Sequence, residues 1–164
     1  MKQPTHLPSR AFGPMLASHS RWTLYLLTAL LVVTGSAWLF AHYGRQDDAL
    51  PSPVEPWSMK IHGAAAMIAI FAIGTMVHRH VLPGWRMRRN RVVGIAMCIA
   101  LGLLAVTGYG LYYFDGETPR RIAEQLHWGA GFLLPSVFAT HVVVARMARR
   151  RKRVPSRPVA ARAE

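Results

Sequence analysis

Cysteine and charged residues are scarce in this sequence of 164 residues. The single cysteine, Cys98, allows no internal disulfide and no motif that needs two cysteines. Charged residues make up only 16% of the chain, against about 25% in typical soluble domains, and apolar residues make up 52%. This composition argues against a soluble domain, and the length suits a single domain.

Four long windows contain no Asp, Glu, Lys or Arg residue. They cover residues 22–44, 61–78, 92–114 and 125–145. Each is close to the length of about 20 residues that a helix needs to cross the hydrocarbon core of a bilayer. None of them alternates polar and apolar residues at every second position, as the strands of a membrane barrel do. The sequence therefore predicts an all-α membrane protein folded as a four-helix transmembrane bundle.

The predicted domain organisation follows from these windows and their flanks. Residues 1–17 form a leader, residues 18–150 form the four-helix domain, and residues 151–164 form a basic tail that is rich in Pro, Arg and Ala and is expected to be disordered. The helices are predicted at about residues 19–43, 58–81, 91–114 and 121–148.

Positive charge is distributed unevenly and indicates how the chain crosses the membrane. Sixteen of the 20 Lys and Arg residues lie in the N-terminal segment, in the connection at residues 79–91 and in the C-terminal tail. Six of the 7 acidic residues lie in the other two connections. Because an excess of Lys and Arg marks the cytoplasmic side, both termini are predicted to be cytoplasmic in a bacterial-type inner membrane. The net charge of +13 then serves topology and contact of the tail with anionic lipid, and nucleic-acid binding is not expected.

Two helices share a Thr-Gly pair, and each precedes a helix that carries a histidine near its outer end. The pairs are Thr34-Gly35 in the first helix and Thr107-Gly108 in the third. This echo suggests two related helix pairs. Small residues let helices pack closely, which is the simplest role for the Thr-Gly pairs. A second role for Gly35 and Gly108 is to leave room for a flat ligand.

Seven of the eight histidines lie within or at the ends of the predicted helices: His19, His42, His62, His78, His80, His127 and His141. Ionisable side chains inside a membrane are rare and mark functional sites by default. His42, at the outer end of the first helix, is interpreted as structural, because an interfacial histidine can place its polar tip among lipid headgroups. His6 lies in the polar leader and needs no functional explanation.

His127 and His141 lie fourteen residues apart on the fourth helix. At about 1.5 Å and about 100° per residue, the two rings are about 21 Å apart along the axis and differ by only about 40° around it. They therefore face one side of the helix at opposite depths, too far apart to share one ion. Gly129 and Gly131 between them remove side-chain bulk where a planar group could lie, and Pro135 predicts a kink.

Two further histidines lie at matching depths on other helices, His62 level with His127 and His19 level with His141. Two imidazoles that face each other across a gap suit a six-coordinate haem iron. Zinc is disfavoured because it needs about four ligands that converge on one point. The depths predict two haem sites, an outer one at the first pair and an inner one at the second. Without a Cys-x-x-Cys-His motif, both haems would be bound non-covalently.

The inner site has two competing candidates on the second helix. His80 lies eighteen residues after His62, on the same face but about 27 Å away, and is the alternative inner ligand. His78 ranks below His80, because the sixteen residues that follow His62 turn it by about 160°, away from the His62 face.

Three segments, "SHSRWTLYLLTALLVVTG", "MKIHGAAAMIAIF" and "LHWGAGFLLPSVFATH", resemble the four-helix dihaem cytochrome b family. That family comprises membrane subunits of respiratory formate dehydrogenases and nickel-iron hydrogenases, and bacterial cytochrome b561. The resemblance covers about residues 15–150. It implies ligands in the same order and sidedness, which would be His19, His62, His127 and His141. The first-helix histidine of the family is often followed directly by Trp, whereas Trp22 comes three positions later here, and His80 stays open as the alternative.

The resemblance implies transmembrane electron transfer through two b-type haems, between a redox partner at the outer face and a quinone near the inner haem. The chain contains no iron–sulfur or nucleotide motif, so it would be the electron-transfer subunit of an oxidoreductase rather than a complete enzyme. Two alternatives stay open. One is a self-contained, cytochrome b561-like oxidase of superoxide that reduces quinone, and the other is a haem-free membrane anchor whose histidines only bridge helices.

Overall fold

The computed structural model describes residues 18–46, 48–86 and 91–153. Within these ranges there are six helical segments and no strand. The segments are α1 (Ser18–Tyr43), α2 (Val54–Met76), a π-helical turn (Val77–Val81), α3 (Leu82–Arg86), α4 (Arg91–Tyr113) and α5 (Glu117–Arg153). The predicted all-α class is confirmed. The predicted leader, with His6, and the predicted tail beyond residue 153 lie outside the described residues.

Four helical spans are long and apolar enough to cross a membrane, and they give the chain the character of a multi-pass membrane protein. They are His19–Tyr43, Val54–Arg86, Arg91–Tyr113 and Glu117–Ala148. The second span comprises α2, the π-helical turn and α3. The number of spans predicted from the uncharged windows is confirmed.

Large apolar side chains on these spans are mostly exposed in the structure. Phe40 is 77% accessible, Phe71 75% and Val92 80%. Apolar faces of this extent would promote aggregation in water, whereas in hydrocarbon they need no protein partner. The buried apolar residues are mainly small, such as Ala65 and Ala130. Small residues are expected at these contacts because helices in lipid associate through close packing rather than through removal of apolar surface from water.

The chain divides into two compact units, residues 1–89 and 90–164, and each is a helical hairpin. In hairpin one, α1 packs against α2, and in hairpin two, α4 packs against α5. The two helices of each hairpin are joined at one end, which we call the turn end. The core of hairpin one consists of Leu27 on α1 against Ala65 and Ala69 on α2.

The turn end of hairpin one is organised by the buried carboxylate of Glu55. It accepts hydrogen bonds from the backbone N–H of Ser52 (3.2 Å) and from the Arg45 guanidinium (3.3 Å), and it lies 3.3 Å from Nδ1 of His42. The Glu55 N–H in turn donates to the Ser52 carbonyl (3.1 Å). The backbone bond closes a turn ahead of α2, and the Glu55 carboxylate satisfies a backbone N–H just before the helix begins. α2 begins at Val54 rather than at about residue 58, the start that the sequence predicted.

The turn end of hairpin two is much shorter and depends on glycine. Gly116, between α4 and α5, has φ +88°, a conformation that glycine adopts without steric cost. The Phe114 N–H donates to the Gly110 carbonyl (2.8 Å), and the Phe114 ring lies where a Cβ on Gly110 would be. A side chain at position 110 would therefore force this ring away from α4.

A π-helical turn interrupts the second span at residues 77–81. The Leu82 N–H donates to the Val77 carbonyl, a bond over five residues instead of four. The cause lies nearby, because Pro83 has no N–H for the Arg79 carbonyl and its ring would clash with that carbonyl in a regular α-helix. The span continues through α3 to Arg86, so the angles expected for a straight α-helix do not apply beyond Met76.

Candidate functional site

In hairpin one, His62 on α2 is held by Thr34 on α1. The Thr34 Oγ1 lies 3.0 Å from Nδ1 of His62 and also donates to the Leu30 carbonyl (2.7 Å), four residues back along its own helix. A hydroxyl has one proton to donate, so towards His62 the Thr34 oxygen is an acceptor. Nδ1 of His62 therefore carries the ring proton, and in the neutral ring the lone pair is at Nε2.

In hairpin two, the same arrangement holds His127 on α5. The Thr107 Oγ1 lies 3.0 Å from Nδ1 of His127 and donates to the Leu103 carbonyl (2.6 Å). Thr107 is buried, with 4% of its surface accessible, as is Thr34 with 7%. By the same proton count, Nδ1 of His127 is the donor and Nε2 carries the lone pair.

The glycine that follows each threonine makes room for the histidine ring. A Cβ built on Gly35 would lie 3.2 Å from Cε1 of His62, and one on Gly108 would lie 3.3 Å from Cε1 of His127. Any side chain at either position would press on the imidazole. The space that the sequence predicted at these glycines is occupied, at least in part, by the histidine ring itself.

These contacts define a unit that occurs once in each hairpin, which we call the Thr-Gly/His unit. It consists of a Thr-Gly pair on the first helix and a histidine on the second. The sequence suggested the echo and a packing role for the Thr-Gly pairs, but it did not predict a hydrogen bond between threonine and histidine. The signal that could have found them is the order of the two elements, because the Thr-Gly pair precedes the histidine in both hairpins.

The other predicted ligands differ in exposure. His141 on α5 and His80 in the π-helical turn are half-buried, with Nδ1 shielded from solvent in both, whereas His19 and His78 are exposed. His19, in the first turn of α1, uses its backbone carbonyl to accept from the Thr23 hydroxyl (2.9 Å). Each predicted haem pair combines one histidine from each hairpin, and the pairing stays a prediction.

His127 and His141 lie on one continuous helix. α5 runs from Glu117 to Arg153 with Pro135 inside it, so fourteen residues do separate the two rings along one helix. Between them, no atom of the described residues lies within 4 Å of a Cβ built on Gly129, whereas one on Gly131 would make an ordinary contact with Leu104 (3.8 Å). Within hairpin two, a side chain at position 129 would meet no described neighbour, whereas one at position 131 would touch α4.

Histidines in the described part of the chain are not gathered into larger metal-binding clusters. No group of three or more His, Cys, Asp or Glu side chains that could hold a metal ion is found there. The sites that remain are single histidines on helices, each able to supply one ligand.

Comparisons of the chain with protein-family models, with curated proteins and with solved structures return no match.

Proposed function

We propose that this protein transfers electrons across a membrane through two non-covalently bound b-type haems. In this proposal, His62 and His127 would hold the outer haem, and His141 would hold the inner haem. The inner partner would be His19 in the pattern of the resembled family, and His80 is the alternative. The observation that carries the proposal is the Thr-Gly/His unit, which occurs in both hairpins.

The hydrogen bond from each histidine to its threonine suits iron ligation. Histidines that bind metals almost always donate their other ring N–H to a neighbouring acceptor, which sets the tautomer, the orientation of the ring and the basicity of the ligating nitrogen. Thr34 and Thr107 supply such acceptors at 3.0 Å. Nε2 would then be the nitrogen that ligates the iron, so the chemistry of these histidines fits haem. A haem held by two axial histidines, when bound, exchanges single electrons and offers no open position to oxygen.

The protein groups around the histidines have separate tasks in this mechanism. The threonines keep the proton on Nδ1. Gly35 and Gly108 have no side chain and so leave room for the imidazole rings. The apolar spans exclude water from the neighbourhood, which lets hydrogen bonding and local charge set the reduction potential. With Nδ1 bonded to a threonine, the rings would not need to exchange a proton when haem changes its oxidation state.

The orientation of the chain in the membrane is proposed from the charge pattern, and its redox partners from the family resemblance. Both termini would be cytoplasmic, which places the two turn ends at the outer face of a bacterial-type inner membrane. A redox protein at the outer face and a quinone near the inner haem would be the exchange partners. The basic C-terminal residues would contact anionic lipid on the cytoplasmic side.

A second function is favoured by the same hydrogen bonds. Within each hairpin, the histidine bridges two helices, which is the arrangement expected of a haem-free membrane anchor. Such bonds contribute only about 0.6 kcal/mol on average in membranes. They also give no reason for the half-buried His80 and His141. Electron transfer accounts for more of the histidines, and haem binding separates the two functions.

The decisive experiment is to purify the protein in detergent and measure haem per chain, together with reduced-minus-oxidised spectra. We expect about two haems of the bis-histidine type. His62→Ala and His127→Ala should each remove one haem, and the same one, whereas His78→Ala is the control at an exposed histidine. A protein without haem after supplementation of the growth medium would exclude electron transfer and leave the anchor function.

A further inference from the structure

Repetition between the hairpins gives a test of which histidine in hairpin one corresponds to His141 in hairpin two. The Thr-Gly/His units align His62 with His127. Fourteen residues after His127 comes His141, and fourteen residues after His62 comes Met76. The counterpart of His141 is therefore expected on the second span of hairpin one, close to Met76.

His19 has no place in this repetition. It lies on α1, fifteen residues before Thr34, and the residue fifteen positions before Thr107 is Val92 on α4. It is also exposed, at the first turn of its helix. Hairpin two thus has Val92, which cannot be a ligand, at the position equivalent to His19. By the repeat, the second histidine of hairpin one is expected on its second span.

His80 lies on the same face of its span as Met76. Residues four positions apart are neighbours on a helix surface. Through the π-helical turn, four residues still come close to a full turn, because a bond over five residues raises the number of residues per turn by less than one. His78, two positions after Met76, points to nearly the opposite side, and the structure shows it exposed while His80 is half-buried.

The π-helical turn gives His80 a local geometry that a regular helix would not. Single π-turns within α-helices are rare and occur frequently at functional sites. Here the turn is held by the Leu82 N–H bond to Val77 and has its cause in Pro83. It contains His80 and no other half-buried histidine.

We infer that His80, rather than His19, is the second haem ligand supplied by hairpin one. This rests on the proposed haem-binding function. Hairpin one would then contribute His62 and His80, and hairpin two His127 and His141, so that both ligands of each hairpin lie on its second span. Met76, the aligned position, lies about one turn closer to His62 than His80 does.

The test compares three single variants of the full chain in detergent: His80→Ala, His19→Ala and, as a control in the same π-helical turn, His78→Ala. Haem per chain and the number of components in a redox titration are measured for each. We expect the first variant to retain half the haem of the wild type with one redox component, and the other two to retain the full content with two components.

The outcomes separate this inference from the function on which it rests. Loss of half the haem in His19→Ala, with full retention in His80→Ala, would overturn the inference and leave the proposed function intact. A wild-type protein without haem would overturn both. If His80→Ala loses all haem, His80→Gly with added imidazole decides: a return of the second redox component supports the inference, and no return overturns it.

Discussion

The two hairpins place a histidine in the same way although their connections differ. In hairpin one the turn end is long and is held by the Glu55 carboxylate with Arg45 and His42. In hairpin two it is a short turn at Gly116. Yet the histidine lies 3.0 Å from its threonine in both. The Thr-Gly/His contact therefore positions the histidine, and the connection only has to let the two helices meet.

The second spans of the hairpins also differ in how they respond to proline. α5 contains Pro135 and stays α-helical along its length. The second span of hairpin one contains Pro83 and changes to a π-helical turn just before it. In hairpin one, Pro83 follows the half-buried His80, and in hairpin two, Pro135 precedes the half-buried His141. Only in hairpin one does the helical register change next to the proline.

The largest effect is expected from filling the space at one histidine while sparing the other hairpin. Gly108→Val should displace the His127 ring, because even a Cβ at this position comes within 3.3 Å of it. Overpacking of this kind costs about 1–3 kcal/mol. We expect loss of one haem per chain, measured by pyridine haemochrome. Gly102→Val on the same helix is the matched control, since no described atom lies within 4 Å of a Cβ there.

Glu55→Gln tests whether the turn end of hairpin one supports stability rather than the site. The amide keeps the shape of the side chain and loses the charge that faces Arg45 and His42. Since the Glu55 side chain is 8% accessible, we expect a loss of about 1–3 kcal/mol in the free energy of unfolding. Thermal unfolding in detergent measures it, with Glu117→Gln at an exposed position as control. A drop in haem per chain without a drop in stability would contradict this separation.

Thr34→Val and Thr107→Val remove the acceptor at one histidine each with almost no change in volume. Loss of such a supporting contact typically lowers metal affinity about 10–100-fold. Haem transfer to apo-myoglobin measures the change, and Thr→Ser at the same positions should restore most of the affinity. Thr140→Val on α5, whose hydroxyl bonds to the Ser136 carbonyl, is the control. Equal effects of all three valine variants would mean that the hydroxyl does not act through the histidine.

The smallest effect is expected from the prolines. Pro83→Ala gives the Arg79 carbonyl an N–H donor and should favour a regular α-helix in place of the π-helical turn. If His80 is a ligand, the potential of one haem should shift while the other stays. Pro135→Ala, in a span that is already α-helical, should leave both potentials nearly unchanged. Shifts of similar size in the two variants would show that the π-helical turn has no special role.

Much of the arrangement along the chain could be read from the sequence, and much of the site could not. The spans and the shared face of His127 and His141 follow from composition and helical periodicity. The roles of Thr34 and Thr107 could not be read off, because a hydrogen bond across two helices depends on how closely they approach. The register change before Pro83 could not be predicted either, because helical periodicity alone describes a straight α-helix up to the end of the span.

The sequence by itself determined that this protein is all-α, that it has four spans and that histidines occur at repeated positions along them. These properties depend on hydrophobicity, length and helical period, which act locally. Only the tertiary structure decided which atoms meet: Nδ1 of a histidine with a threonine hydroxyl, over a glycine, in each hairpin. The physical reason is that such contacts require two helices to lie a few ångströms apart at one depth and rotation, and that condition depends on packing rather than on either segment alone.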